Sequence, residues 1–319
     1  MKILATGSAL PKKVVSNDDL ARVMDTSDEW IRTRTGIRTR HIATDETTTS
    51  LAVEAAKKAF EKSKVSIDEL DLIITATVSP DYIFPTLACE IQAALGAKRA
   101  TAFDLGAGCS GFLFALATAD AYFRTGRYRN ALIMGAETLS KMMDWSDRST
   151  CVLFGDGAGA AVVSADGDQL LSMVQGSDGA GGMALKCNNR SVSNLFHQVA
   201  AEQYSYTEMN GSEVYKFAVR TVPNAVAEAL EQADVKVDDI KLFLLHQANI
   251  RIIESVAKRL NQPLEKFPTN LQECGNISAA SVPILLDQVC KEGKIQKGDK
   301  IVLAGFGAGL TWGACVIEW

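Results

Sequence analysis

Histidine is scarce in this chain: His41, His197 and His246 are the three among 319 residues, so an imidazole base must be one of them. Cysteine occurs seven times, at Cys89, Cys109, Cys151, Cys187, Cys274, Cys290 and Cys315, an odd and dispersed set with no CxxC. That spacing suits neither a disulfide framework nor a zinc site and points to a reducing compartment. Proline is rare, at seven, and no low-complexity tract occurs, so no flexible linker is expected. No apolar run approaches the roughly 18 residues of a membrane span. The opening MKILATGSALP carries one charge and a very short apolar run, and reads as a strand, not a signal peptide. Charge of one sign is not in excess: 33 Lys+Arg against 38 Asp+Glu leave a net −5, which gives the chain no general affinity for nucleic acid. An anionic partner must therefore meet a local basic patch. P-loop and GxSxG motifs are also missing. Gly155-Asp156-Gly157-Ala158-Gly159-Ala160 imitates a dinucleotide fingerprint, but it joins two strand-like runs and opens no helix, so the phosphate site would be lacking. A soluble, cytoplasmic protein without a metal is expected.

What is present is a large apolar fraction, 47%, enough for a substantial core, arranged as a repeat. KKAFEKSKVSIDELDLIITATV (57–78) lies over AEALEQADVKVDDIKLFLLHQA (227–248) without a gap at an offset of 170, and each copy reads as amphipathic helix, polar connection and strand. A second echo pairs Leu153–Val163 with Leu303–Ile317. Two echoes in the same order argue for duplication. Each half alternates strand-like and helical runs, which predicts an α/β fold of two tightly packed halves about a pseudo-twofold axis, residues 1–166 and 167–319, divided at the polar Ser164–Asp168. Gly176–Gly211 is the longest irregular stretch, the form of a lid or binding surface.

Ala102–Leu116 has the form of a device for presenting one cysteine. A strand end, the turn Gly106-Ala107-Gly108 and a helix from Ser110 that is apolar nearly all round would hold Cys109 at a buried helix start. Unpaired N–H groups there favour a thiolate. The residue is equally readable as a small buried hydrophobe. His246 stands where the first copy has Ala76, at a strand's carboxyl end, where α/β folds bind ligands; it is a candidate base or a satisfied core residue. Asn276, in GNISAASVP, is a candidate polar contact or a helix cap. Gly305-Phe306-Gly307-Ala308-Gly309 can bring backbone N–H groups close to a ligand, as an oxyanion hole requires.

TSDEWIRTRTGIRTRHIA (26–43), AGCSGFLFAL (107–116), DRSTCVLFGDGAGAAVV (147–163), HQAN (246–249), GNISAASVP (275–283) and GFGAGLTWG (305–313) together resemble the β-ketoacyl-acyl-carrier-protein synthase III family, over essentially the whole chain and in order. The resemblance implies a thiolase-like fold, a homodimer and a Cys-His-Asn site. Cys109 would be acylated by an acyl-coenzyme A. His246 and Asn276 would bind the carbonyl of malonyl-acyl-carrier-protein during decarboxylation, and the backbone N–H groups of Cys109 and Ala308 would form the oxyanion hole. Alanine at 308 replaces the glycine common in the family. Trp30 and Arg148 would sandwich the adenine, Arg34 would meet phosphate, and Asn249 and Gly211 would line the pantetheine tunnel. Phe84 would close the acyl pocket of the partner subunit, while Lys216, Arg251, Lys258 and Arg259 would dock the acidic carrier protein.

The implied activity is a decarboxylating condensation that starts type II fatty acid synthesis, with coenzyme A thioester as substrate and no cofactor. Its rivals are a polyketide-type ketosynthase or acyltransferase, a degradative thiolase, a hydroxymethylglutaryl-coenzyme A synthase, and a non-catalytic acyl-coenzyme A binder. Asn276 stands where elongating condensing enzymes carry a second histidine, and Cys315 lies outside the glycine-rich motif of a degradative thiolase.

Overall fold

The computed structural model describes residues 1–189, 191–197 and 205–319. The chain begins with β1 (Lys2–Ala9), then β2 (Val14–Ser16), α1 (Asn17–Ala21), α2 (Asp28–Thr35) and β3 (Thr39–His41). Next come α3 (Thr48–Lys62), β4 (Leu72–Ala76), α4 (Leu87–Leu95), β5 (Thr101–Leu105), α5 (Gly111–Arg124), β6 (Asn130–Thr138) and β7 (Asp156–Ser164). After a short polar connection follow β8 (Leu170–Ser177), β9 (Leu185–Cys187), β10 (Thr207–Met209), α6 (Gly211–Gln232), β11 (Ile240–Leu245) and α7 (Ile250–Arg259). The chain closes with α8 (Leu271–Cys274), α9 (Ser281–Lys291), β12 (Lys300–Gly307) and β13 (Thr311–Glu318).

Two sheets carry the architecture. The first runs β1-β7-β6-β4-β5 and the second β8-β13-β12-β11. The pairs β4–β6 and β11–β12 are parallel, as is β4–β5, and the pairs that follow toward the opposite edge, β6–β7, β1–β7, β12–β13 and β13–β8, are antiparallel. Strand order and direction therefore repeat, except that β5 has no counterpart among the described residues. The offset of 170 holds in detail, since the 3-10 turns Ile67–Glu69 and Val237–Asp239 and the strands that follow them occupy matched places.

The second echo does not hold in register. The glycine run at Gly155–Gly159 opens β7, whereas Gly305–Gly309 closes β12 and turns toward β13. Similar glycine spacing there reflects two separate close approaches of backbone. Gly176–Gly211 is also more ordered than its composition suggests: a 3-10 segment (Gly179–Ala184) leads into the antiparallel pair β9–β10, while part of the stretch lies outside the described residues.

Five layers result. α3 and α4 cover the outer face of the first sheet, α6 and α7 that of the second, and α5 and α9 lie between the sheets and touch both. This explains why α5 is apolar on so many faces: Phe112, Leu113, Ala115, Leu116 and Ala119 share one buried cluster with Ile74 and Ile133 of the first sheet and Leu244 and Leu303 of the second. A large side chain fully buried there contributes about 1.5–3 kcal/mol, so the layer that carries the helix after Cys109 is among the most firmly packed. Asp287 of α9 ties the layer to the first sheet: it accepts from Thr6 (2.9 Å) and Ser8 (2.6 Å) of β1 and pairs with Lys62 (2.9 Å) and Lys291 (2.5 Å).

Candidate active site

Cys109 lies in the 3-10 turn Gly108–Ser110, between β5 and α5. Close backbone approach fixes it. Gly108 has φ +51°, and a Cβ there would fall 2.6 Å from the Ala308 nitrogen; one on Gly307 would fall 2.3 Å from the Cys109 nitrogen. Two glycines thus allow the segments bearing the two expected oxyanion donors to touch. Ala308 is not among the residues with positive φ, so its methyl is not strained, and it lines a cavity beside Cys109.

His246 follows directly on β11, its N–H donating to the Ala304 carbonyl of β12 at 2.8 Å. The residue is 3% exposed, and among the described residues neither ring nitrogen has a partner. It meets Phe306 edge-on at 5.5 Å. Burial pushes the imidazole down to about 3, so it is neutral at physiological pH.

Asn276 is held by main-chain bonds to Leu153 and Gly155, each 2.9 Å. Gly155 is required there, since a Cβ would sit 2.3 Å from the Cys274 carbonyl. The nucleotide-like glycine run therefore serves to seat the asparagine. Its Oδ1 accepts from the Ser278 N–H at 2.8 Å, the first residue of the 3-10 turn Ser278–Ala280, although Asn276 is not the N-cap of that turn, which leaves the carboxamide NH2 as the donor the side chain can offer.

Cys109, His246 and Asn276 line one cavity of about 150 Å³, with Phe306 and Gly307 beside them and Gly211, Tyr215, Asn249 and Ile252 toward the surface. A second cavity of about 210 Å³ also reaches Cys109 and is walled by Val78, Leu139, Met142, Met143, Phe154 and Ala308, among others. The sulfur stands where the two meet. Phe306 and the methionine wall carry no sequence signal beyond their apolarity, so sequence reasoning missed them.

The thiol differs from expectation. Burial, with the Glu137 carboxylate nearby, pushes it up to about 12 instead of down. The helix start offers its dipole, but a cysteine 8% exposed among mainly apolar walls loses more solvation than that dipole returns. The resting pair is a neutral thiol and a neutral imidazole.

Of the other predicted residues, Gly211 and Asn249 line the same cavity as Cys109. Asn249 caps α7 and donates to the Arg34 carbonyl at 3.0 Å. The Arg34 and Arg148 guanidinium carbons lie 4.6 Å and 5.2 Å from the Trp30 ring centre. Arg148 therefore stacks directly on the indole and is held by Asp25, which leaves no room for a base between them until it moves. Phe84 is 84% exposed and lines neither cavity of its own chain. Lys216 on α6 and Arg251, Lys258 and Arg259 on α7 are all exposed. Arg251 donates to the Thr33 carbonyl (2.8 Å) and Arg259 to the Val219 carbonyl (2.5 Å), and among the described residues none of the four has a carboxylate partner. Arg220, exposed one turn after Lys216, extends this surface and was not anticipated.

Residues 103–194 match the family described as 3-oxoacyl-[acyl-carrier-protein (ACP)] synthase III, and residues 230–319 match its C-terminal family. A β-ketoacyl-[acyl-carrier-protein] synthase III of Clostridium acetobutylicum is 47% identical, over 100% of this chain and 98% of the relative. The crystal structure of 3-oxoacyl-[acyl-carrier-protein] synthase III from Aquifex aeolicus VF5 superposes with TM-score 0.93 at 46% identity, covering 100% of this chain and 99% of that one. The priming β-ketosynthase of the R1128 polyketide biosynthetic pathway gives TM-score 0.92 at 36% identity, covering 99% and 95%.

Proposed function

This chain belongs to the 3-oxoacyl-[acyl-carrier-protein] synthase III family, and from that premise we propose that it acts through Cys109, His246 and Asn276. It is a thiolase-fold acyltransferase that starts fatty acid synthesis by condensation. A short acyl-coenzyme A and malonyl-acyl-carrier-protein are joined with loss of carbon dioxide. The Cys109 sulfur attacks the acyl thioester, whose oxygen meets the backbone N–H groups of Cys109 and Ala308, and coenzyme A leaves as its thiol. The malonyl thioester then enters. His246, neutral and therefore a hydrogen-bond donor without net charge, and the Asn276 carboxamide take up the enolate charge as carbon dioxide departs. Neither repels the malonyl carboxylate as a third acid would. The enolate carbon attacks the acyl-enzyme carbonyl and Cys109 is released.

The observation that carries this reading is that Cys109, His246 and Asn276 line one cavity and that, among the described residues, the imidazole has no partner of its own. Incubation with radiolabelled acetyl-coenzyme A tests it: label recovered on the Cys109 peptide supports the enzyme, whereas reversible binding without acylation would mark an acyl-coenzyme A binder. The likeness to a polyketide-priming ketosynthase favours a second destination for the same chemistry, and rates across a panel of acyl primers separate the two.

The finer assignments belong to the same proposal. The chain works as a homodimer in which Phe84, exposed with Tyr82 and Ile83, enters the partner's acyl cavity. Coenzyme A lies along Trp30, Arg34, Arg148, Asn249 and Gly211, with Arg148 swinging aside for the adenine. The basic face of α6 and α7 receives the acidic carrier protein. Thioester exchange and decarboxylation run on these groups, with coenzyme A as substrate and no cofactor. Seven free thiols fit a cytoplasmic setting.

A further inference from the structure

The two peptide units expected to meet the acyl oxygen, Gly108–Cys109 and Gly307–Ala308, each begin at a glycine. A glycine leaves the neighbouring peptide plane freer to turn than any other residue does. Something besides the local backbone must therefore set the direction in which the Cys109 and Ala308 N–H groups point.

A pair of hydroxyls is placed to do this. Thr311, the first residue of β13, stands opposite Gly307 in the β12–β13 ladder. Its Oγ1 lies 2.9 Å from the Ala107 carbonyl oxygen and 3.1 Å from the Ala308 carbonyl oxygen. Ser110 Oγ, fully buried, stands 2.8 Å from the same Ala107 oxygen and 2.8 Å from Thr311 Oγ1. Carbonyl oxygens only accept, so the links in this cluster are made by the two hydroxyl protons. The Ala107 carbonyl belongs to the peptide just before the one that carries the Cys109 N–H, and the Ala308 carbonyl to the peptide just after the one that carries the Ala308 N–H. Each donor is thus a single α-carbon away from a carbonyl that Thr311 reaches. Packing alone would accept valine at this strand position, since it has the shape of threonine and a high strand preference; the hydroxyl is what joins the two segments.

We propose that Thr311, backed by Ser110, is a positioning residue for acylation: its hydroxyl fixes the Ala107 and Ala308 carbonyls relative to one another and so holds the Cys109 and Ala308 N–H groups in one arrangement. The proposal rests on those two groups receiving the acyl oxygen. Attack on a thioester gathers negative charge on that oxygen, and donors already in place stabilise it without having to reorganise. Alkylation of the same sulfur by iodoacetamide makes no such demand: a sulfur–carbon bond forms as the carbon–iodine bond breaks, iodide carries the charge away, and no oxygen takes it up. The clamp is therefore required for one reaction of Cys109 and not for the other.

Thr311→Val removes the hydroxyl at nearly constant shape, and Thr311→Ser returns it. Acylation by radiolabelled acetyl-coenzyme A is followed in single turnover over a range of donor concentrations, and iodoacetamide alkylation is followed on the Cys109 peptide by mass spectrometry, which separates it from the other cysteines. Thr311→Val should acylate about tenfold to a hundredfold more slowly at saturation with an unchanged half-saturation concentration, should alkylate within about threefold of wild type, and Thr311→Ser should recover most of the acylation rate. Undiminished acylation in Thr311→Val overturns the proposal. So does a parallel loss of alkylation, the result of a merely structural threonine whose removal disturbs the whole turn. If Thr311→Val does not fold, Ser110→Ala reads the same clamp: slower acylation with alkylation intact supports it, and rates that fall together or not at all overturn it. A wild type that takes up no label refutes the acyl-enzyme reading and the clamp with it, whereas a labelled wild type beside an unaffected Thr311→Val removes the clamp alone.

Discussion

Replacing Gly307 by alanine tests how tightly the nucleophile is fixed. The new Cβ would stand 2.3 Å from the Cys109 nitrogen and 3.0 Å from the Ser110 nitrogen, whereas ordinary contact begins near 3.4 Å. Either β12 or the Cys109 turn must retreat by about 1 Å, and Gly307 is not at positive φ, so the effect is contact and not backbone strain. A misplacement of about 1 Å costs on the order of a hundredfold in rate, or about 2.7 kcal/mol of barrier; overpacking costs a further 1–3 kcal/mol or so of stability. The assay is rapid-quench labelling of Cys109 by radiolabelled acetyl-coenzyme A in single turnover, with a thermal melt in parallel. Gly305→Ala is the matched control. Its Cβ would lie 3.4 Å from the His246 Cβ, ordinary contact, and acylation should stay near wild type. A folded Gly307→Ala protein that acylates within threefold of wild type would refute the reasoning, as would equal losses in both variants.

Three further outcomes follow from the geometry. His246→Ala should lose roughly a hundredfold or more in malonyl decarboxylation while sparing acylation, and equal loss of both half-reactions, measured separately, would contradict the division of labour. Lys258→Glu should raise the carrier-protein KM severalfold and leave acetyl-coenzyme A acylation unchanged, whereas Arg251→Glu should disturb both because its guanidinium also holds the Thr33 carbonyl. The Asp287 carboxyl, buried yet held at about 2 by Lys291, Ser8 and Lys62, stabilises the fold fully above pH 4 and loses that contribution as pH falls toward 2. It amounts to about 2.5 kcal/mol in all, of which about 1 kcal/mol is lost by pH 3, so denaturant unfolding at pH 6 and pH 3 should show a smaller acid loss in Asp287→Asn than in wild type.

Much of this could be read from residues alone where periodicity and local chemistry coincide. The 170-residue offset is visible because helix, turn and strand each keep their own pattern, and the Cys109 turn is visible because small residues sit between a strand and an apolar helix. What was hidden depends on contacts distant in sequence. The glycines at 155 and 305 look alike but serve different neighbours, Cys274 and His246, which no alignment of spacings reveals. The direction of the Cys109 shift was misjudged because a helix start can be read locally, whereas desolvation depends on walls contributed by Val78, Met142 and Phe154.

The sulfur at the junction of two chambers has a consequence for the order of events. If the acyl group lodges in the larger chamber and both pantetheine arms approach along the smaller one, which Gly211, Tyr215 and Asn249 line, the two donors share one approach to Cys109. Each arm would then have to withdraw before the other is admitted, so the two donors would exclude one another in time, and an excess of either should slow turnover by occupying that approach out of turn.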